Sequence, residues 1–146
     1  MGYTHYWHQP VGSEIPPDTW ARIRDDARKL IAAASCKLVF RAYRFDRPPL
    51  VDEEWILFNG ADRGEDFMLQ RSPKPWHLRP EDREVITSCK TERLPYDLVV
   101  CAILAIAREH APDLIRVTSD GNTIDWQPAL RFAFQVLSRD VPRPFD

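Results

Sequence analysis

Hydrophobic and polar positions along the chain follow two periods, one typical of strands and one typical of helices. Residues 3–8 are rich in aromatic and β-branched side chains, which predicts a first strand. Residues 18–34 repeat apolar side chains at helical spacing, which predicts a first helix with one buried face. Residues 95–110 are apolar nearly all round, which predicts a helix that is covered on more than one side. A last helix is predicted up to Leu137, with Asp125 as its N-cap.

Shorter apolar runs between these helices predict further strands. They cover residues 37–45, 54–58, 66–70, 84–88 and 115–118. Asn59 and Gly60 predict the start of a turn, and residues 72–81, with three prolines, predict an irregular segment. Residues 119–122 predict a second turn in which Gly121 supplies a positive φ, with residues 123–124 pairing back as a strand.

The order of these elements predicts an α+β fold. About six short strands, several of them hairpin neighbours, predict a mainly antiparallel sheet with three helices packed on it. The length of 146 residues fits a single domain, 1–146, with a loose proline-rich tail at 141–146. The apolar helix is compatible with a central buried helix and with the interface of a homo-oligomer, and the first is favoured.

Charge and cysteine content narrow the classes of partner. A formal net charge of −2 argues against bulk binding of duplex nucleic acid, which needs a basic face. No apolar stretch is long enough for a membrane span, and the first residues do not resemble a signal peptide. Three cysteines without paired spacing do not indicate a disulfide framework, and Cys101 is interpreted as a small core residue. We therefore expect a cytoplasmic protein without a membrane partner.

The polar segment 89–97, just before the apolar helix, is the best candidate for a ligand site. A helix start presents unpaired N–H groups and a partial positive charge, and Lys90, Thr91 and Arg93 lie next to it. This arrangement suits a phosphate or a carboxylate. The alternative is plain capping, in which Thr91 or Asp97 satisfies backbone donors while Lys90 and Arg93 are solvated. The chain has no phosphate-binding glycine loop, and a nucleophilic Cys89 would need a neighbouring base.

The first strand carries two histidines whose spacing suggests a metal pair. Residues three apart on a strand point to opposite faces, so we do not expect His5 and His8 to bind one metal ion together. We expect no other cofactor. Tyr3, His5 and Trp7 share one face, which favours core packing, with a base-stacking surface as the alternative. Asp120, in a Ser-Asp-Gly turn, favours local hydrogen bonding over catalysis.

Several short motifs occur in an order that resembles a known group of proteins. They are Gly2-Tyr3-Thr4-His5-Tyr6-Trp7, Phe58-Asn59-Gly60, Cys89-Lys90-Thr91, Pro95-Tyr96-Asp97 and Ser119-Asp120-Gly121 with Trp126. The chain resembles an uncharacterised family of small proteins from bacteriophages, prophages and bacteria. It departs from that family at Glu92 and Leu94, where the family has a more regular basic stretch. With the candidate segment, the resemblance selects these residues for tests of ligand binding: His5, Asn59, Lys90, Thr91, Arg93, Tyr96, Asp97, Ser119 and Asp120.

These features favour binding over catalysis. The leading hypothesis is a non-enzymatic protein that binds a small anionic, nucleotide-derived ligand. For a phage protein, the resemblance implies sequestration of a nucleotide signal of host defence. A first alternative is a small hydrolase or transferase that acts on a nucleotide through Asp97, Asp120, His5 or Cys89. A second is a protein that inhibits a host factor by direct contact, for which the chain offers the aromatic surface of Trp20, Trp55, Trp76 and Trp126.

Overall fold

The structure, a computed structural model, describes residues 2–42, 44–62, 64–74 and 78–146. Within these ranges the chain forms three helices and seven strands. In chain order they are β1 (Thr4–Pro10), α1 (Pro17–Ala33), β2 (Leu38–Val39), β3 (Leu50–Val51), β4 (Trp55–Gly60), β5 (Phe67–Gln70), β6 (Glu84–Lys90), α2 (Asp97–His110), β7 (Arg116–Ser119) and α3 (Thr123–Leu137). All the strand pairs are antiparallel, so the predicted α+β class is confirmed.

The strands form two sheets instead of the single predicted sheet. The first has the order β6-β1-β7, with β1 in the middle. In the second, β4 pairs with β2, β3 and β5. The alternation predicted for β1 is confirmed, because His5 and Trp7 are fully buried while Thr4 and Tyr6 on the opposite face are half-buried. One face of the first sheet therefore looks into the core.

Helix α2 occupies the centre of the molecule. Residues 99–107 are all buried, which explains why the helix is apolar nearly all round. It contacts α1, α3 and β7, so no single face has to be polar. Helix α1 begins with Pro17, whose fixed φ suits the first helical turn, and buries Trp20, Ile23, Ala27 and Leu30 on one side. The favoured interpretation of the apolar helix as a buried central element matches this arrangement.

Several local predictions were wrong. The strand 37–45 shrinks to β2, because the chain then folds back on itself, with Phe40 N–H donating to Arg47 O. A strand at residues 50–51 was missed. Asn59 and Gly60 end β4 instead of starting a turn, and they pair with β2. Residues 123–124 begin α3 instead of pairing back as a strand. The N-cap is Asn122 and not Asp125 as predicted, since Asp125 lies in the first turn and completes a capping box with Asn122.

The C-terminal segment, predicted to be loose, lies against α3. Val141 is 6 % exposed. The Phe145 ring packs edge-on against Trp126 at 5.3 Å, and Arg143 donates to Thr123 Oγ1 at 2.8 Å. Part of the irregular segment 72–81 lies outside the described residues. None of the described helices combines the length and the apolar character that crossing a lipid bilayer requires.

Candidate functional site

A chain of hydrogen bonds joins the buried side chain of His5, near the start of β1, to side chains of α2 and β7. The His5 side chain is 0 % exposed, so each of its ring nitrogens needs a partner inside the protein. Nε2 lies 2.6 Å from Asp97 Oδ1, and Nδ1 lies 2.7 Å from Ser119 Oγ. The Thr91 hydroxyl donates to the same Asp97 oxygen. With Cys101, these residues form what we call the buried network: His5, Thr91, Asp97, Cys101 and Ser119.

The bonds around Ser119 determine where the protons lie. Its Oγ accepts from Gly121 N–H at 2.8 Å and from Trp126 Nε1–H at 3.1 Å. A hydroxyl oxygen accepts at two lone pairs, so its own hydrogen is left to donate to His5 Nδ1. His5 then carries its proton on Nε2 and donates it to Asp97. The order Ser119–His5–Asp97 looks like a catalytic triad, but a hydroxyl oxygen that already accepts two N–H bonds is a poor nucleophile.

Cys101 is the member of the network that sequence reasoning missed. Its Sγ lies 3.3 Å from His5 Nε2 and 3.8 Å from Asp97 Oδ2. The spacing of four residues from Asp97 places both side chains on one face of α2, and this was the available signal. Burial raises the pKa of Cys101 well above its ordinary value, and it raises that of Cys89 to about 12. Both thiols therefore favour the protonated form at neutral pH, so neither Cys89 nor Cys101 supplies a reactive thiolate.

The same side chains also group as potential metal ligands. His5, Asp97 and Cys101 each bring one ligand atom to within 4.8 Å of the others. Ligands bound to one Zn²⁺ at about 2.0 Å are roughly 3.3 Å apart in a tetrahedron. The 2.6 Å between His5 Nε2 and Asp97 Oδ1 is shorter than that and is a hydrogen-bond distance. A shared proton fits this cluster better than a metal ion does.

The positive end of α2 already lies next to a negatively charged side chain of the protein itself. Asp97 lies in the first helical turn, so its carboxylate neutralises the positive end of the helix. Arg93 lies 3.9 Å above the Tyr3 ring and forms an ion pair of 3.1 Å with Asp125. The Tyr3 pKa is raised by burial and by Asp97. The capping alternative is not matched either, because Thr91 and Asp97 bond side chains and not the backbone donors at the start of α2.

The segment before α2 also has unusual backbone geometry. Glu92 and Arg93 have φ values of 53° and 59°, in the left-handed region that side chains rarely adopt. This double turn lies between Thr91, which is fully buried, and Asp97, which forms the helix start. The Lys90 side chain is exposed, and its Nζ lies 3.5 Å from Glu92 Oε1. Backbone strain therefore accompanies the arrangement that brings Thr91 and Asp97 to His5.

The remaining selected residues lie at two other places. Asn59 donates to Gly64 O at 2.7 Å and to Asp66 Oδ1 at 2.9 Å, while Tyr96 donates to Glu65 O at 2.7 Å. A Cβ at Gly64 would lie 2.2 Å from Tyr96 Oη, so only glycine fits there. Asn59 and Tyr96 therefore fasten the segment after β4 and do not join the buried network.

Asp120 fastens the end of β7. Its carboxylate accepts from Thr4 N–H at 3.0 Å, which is a bond to the distant strand β1 and not the local hydrogen bond that was predicted for the turn. The prediction of a positive φ at Gly121 was wrong. Among the described glycines, only Gly12 has a positive φ. Glycine is required at 121 for another reason, since a Cβ there would lie 2.1 Å from Tyr3 Oη.

The histidine and tryptophan predictions have separate outcomes. His5 and His8 lie on opposite faces of β1, as predicted, because His5 bonds Ser119 while His8 Nε2 lies 3.0 Å from Thr118 Oγ1. Trp20 and Trp126 are 1 % and 0 % exposed, so they belong to the core and offer no surface for a partner. Trp55 is half-buried, and Trp76 lies outside the described residues.

A groove of about 630 Å³ lies on the other side of β7. The end of α2, the strand β7 and the C-terminal segment form its walls. We call it the arginine groove, after its lining residues Arg108, Arg116 and Arg143, with Val117, Thr118 and Phe145. None of these residues was selected from the sequence, because they come from three segments with no shared motif.

The arginines of the groove differ in how far their charges are neutralised. Arg116 forms an ion pair of 2.7 Å with Glu84. Arg108 donates to Pro112 O at 2.7 Å and Arg143 to Thr123 Oγ1, both neutral acceptors, and neither forms an ion pair with a described residue. The two remaining guanidiniums are thus available to an anion.

Two acidic residues, Glu109 and Asp146, also line the groove. Glu109 is held by Arg139 at 2.6 Å, and Arg139 also binds Asp26. Asp146 lies at the groove and forms no ion pair with a described residue.

The fold and its polar groups define an α+β protein with a closed internal network and an open groove lined by three arginines and two acidic residues. Comparison with protein-family models, with curated proteins and with solved structures found no match for this chain.

Proposed function

We propose that this chain binds a small anionic, nucleotide-derived molecule in the arginine groove and releases it unchanged. The observation that carries the proposal is the pair of guanidiniums, Arg108 and Arg143, that face the groove with only neutral partners. An arginine forms strong, directed bonds with phosphate and carboxylate oxygens. The groove volume of about 630 Å³ lies within the range of small-molecule sites.

The chemistry of the chain favours binding without turnover. The two buried thiols are held as neutral groups, and the Ser119 oxygen accepts two N–H bonds. The enzyme alternative relied on His5, Asp97, Asp120 and Cys89. These residues bond one another or the backbone around them, and none of the four lines the groove.

Calorimetric titration of the purified chain tests the proposal. Phosphate, pyrophosphate and nucleoside mono-, di- and triphosphates serve as probes, and at least one nucleotide should bind. The double variant Arg108→Ala/Arg143→Ala should weaken that binding by about tenfold or more, because two charge-assisted bonds are lost.

The control variant is Arg44→Ala/Arg79→Ala, which removes the same charge from two exposed positions outside the groove lining. Equal weakening by both double variants would show that net charge alone acts, and the proposal would then fail. Ligand recovered from the denatured complex should be intact. Recovery of a hydrolysed product would favour the enzyme instead.

A further inference from the structure

The free edge of β7 gives the arginine groove a second kind of recognition element. In an antiparallel pair, only alternate residues exchange backbone hydrogen bonds. Asp120 N–H donates to Thr4 O at 3.0 Å, so the next exchanged pairs are Thr118 with Tyr6 and then Arg116 with His8. Val117 lies between them and directs its N–H and C=O away from β1.

No described strand covers that edge. The sheet order β6-β1-β7 places β7 at the border, and Val117 forms no backbone bond with another described loop or turn. Val117 is 2 % exposed and lines the arginine groove. A donor and an acceptor therefore lie side by side in a sheltered place, which costs free energy unless water or a ligand pairs with them.

We propose that Val117 reads the edge of a nucleobase while Arg108 and Arg143 hold the phosphate of the same nucleotide. This inference rests on the proposed function and names the part of the ligand that gives selectivity. A nucleobase edge presents a donor next to an acceptor, as adenine does with its amino group and N7. Such an edge is complementary to the N–H and C=O of one extended residue.

Two other features of the groove favour a nucleotide over an extended peptide. Phe145 lines the groove and is half-buried, so it offers an aromatic surface to a flat base. The groove walls carry Pro112, Pro142 and Pro144, which have no N–H to offer a peptide backbone. The strand β7 is also short, with four residues. A peptide that adds to this edge is the competing occupant.

A ligand series titrated by calorimetry tests the inference. The probes are AMP, N6,N6-dimethyl-AMP, which lacks the amino donor, and ribose 5-phosphate, which lacks the base. Both altered ligands should bind about tenfold or more weakly than AMP, because each loses the paired edge. Equal binding of AMP and ribose 5-phosphate would overturn the inference and leave anion binding intact. Absence of binding by any phosphate would overturn both.

Two variants at Val117 distinguish the contribution of its backbone N–H to binding from that of its side chain. Val117→Pro removes the outward N–H and leaves the bonds to β1 in place, as is tolerated at the edge of a sheet. Val117→Ala keeps that N–H and shortens the side chain. AMP and ribose 5-phosphate should bind alike to the first variant and differ for the second. Should Val117→Pro fail to fold, the ligand series decides by itself. An acidic extended peptide that displaces AMP with higher affinity would also contradict the inference.

Discussion

The buried network and the arginine groove share the strand β7 and treat their polar groups in opposite ways. Ser119 belongs to the network, and its hydroxyl has no hydrogen-bonding capacity left. Val117, two residues earlier, belongs to the groove, where two arginines keep only neutral partners. Saturated polar groups stabilise a fold, and polar groups with spare capacity can bind a ligand. This difference separates the part that holds the chain together from the part that can recognise something else.

The largest expected effect is on the network. Asp97→Ala should lower the free energy of unfolding by about 2–4 kcal/mol, because the His5 ring and the Thr91 hydroxyl lose their shared acceptor inside the protein. Urea unfolding measures this loss. Asp113→Ala, which removes an exposed carboxylate, should change stability by no more than about 0.5 kcal/mol. Similar losses for both variants would break the distinction between the network and the surface.

A smaller effect on the free energy of unfolding is expected at the cluster that Asp26 forms with Arg139 and His110. Burial raises the pKa of Asp26, but hydrogen bonds from Arg139 at 2.6 Å and from His110 at 2.7 Å outweigh it, and the net pKa is lowered. A carboxyl whose pKa is lower in the folded state stabilises the fold above its unfolded pKa of about 3.9. This contribution is lost as the pH falls through the folded pKa.

The variant Asp26→Asn makes that dependence measurable. At pH 7 it should cost about 1–3 kcal/mol, and its difference from the parent chain should shrink as the pH falls below about 4. Denaturant unfolding at a series of pH values gives the curve. A difference that stays constant down to the acid transition would mean that the ion pairs of Asp26 do not stabilise the fold.

The smallest expected effect concerns the strained turn between β6 and α2. Glu92 has a φ of 53° and an exposed side chain, so Glu92→Gly should stabilise the chain by about 0.5–1 kcal/mol. Glu53→Gly is the control, because Glu53 is also exposed but has no positive φ. Thermal unfolding measures both variants, and Glu53→Gly should leave the stability unchanged or lower it. A loss of stability in Glu92→Gly would show that this turn is not strained.

The sequence predicted those parts of the fold that depend on local periodicity. The alternation of β1 and the apolar run of α2 are visible in the order of residues, and both elements form. The pair Asn59-Gly60 misled the turn prediction, because Gly60 is needed where the Tyr96 ring packs and Asn59 ties down the next segment. A residue type can serve turn geometry or close packing, and the sequence alone does not separate these uses.

The candidate site was predictable in part, for a similar reason. His5, Thr91, Asp97 and Ser119 were all selected, and the structure brings these four together. The arginine groove was missed because its charges come from α2, β7 and the C-terminal segment, and tertiary packing alone brings them together. Which arginine keeps an unpaired charge depends on contacts such as Arg139 with Glu109, which no spacing rule predicts.

The most direct test of the account is to map the ligand site by NMR. Backbone amide shifts of ¹⁵N-labelled protein are followed during titration with AMP. We expect the largest shift changes at the groove, with Val117 and Arg143 among them, and little change at residues 90–97. Shift changes centred on residues 90–97 would contradict it, because the ligand would then bind at the start of α2.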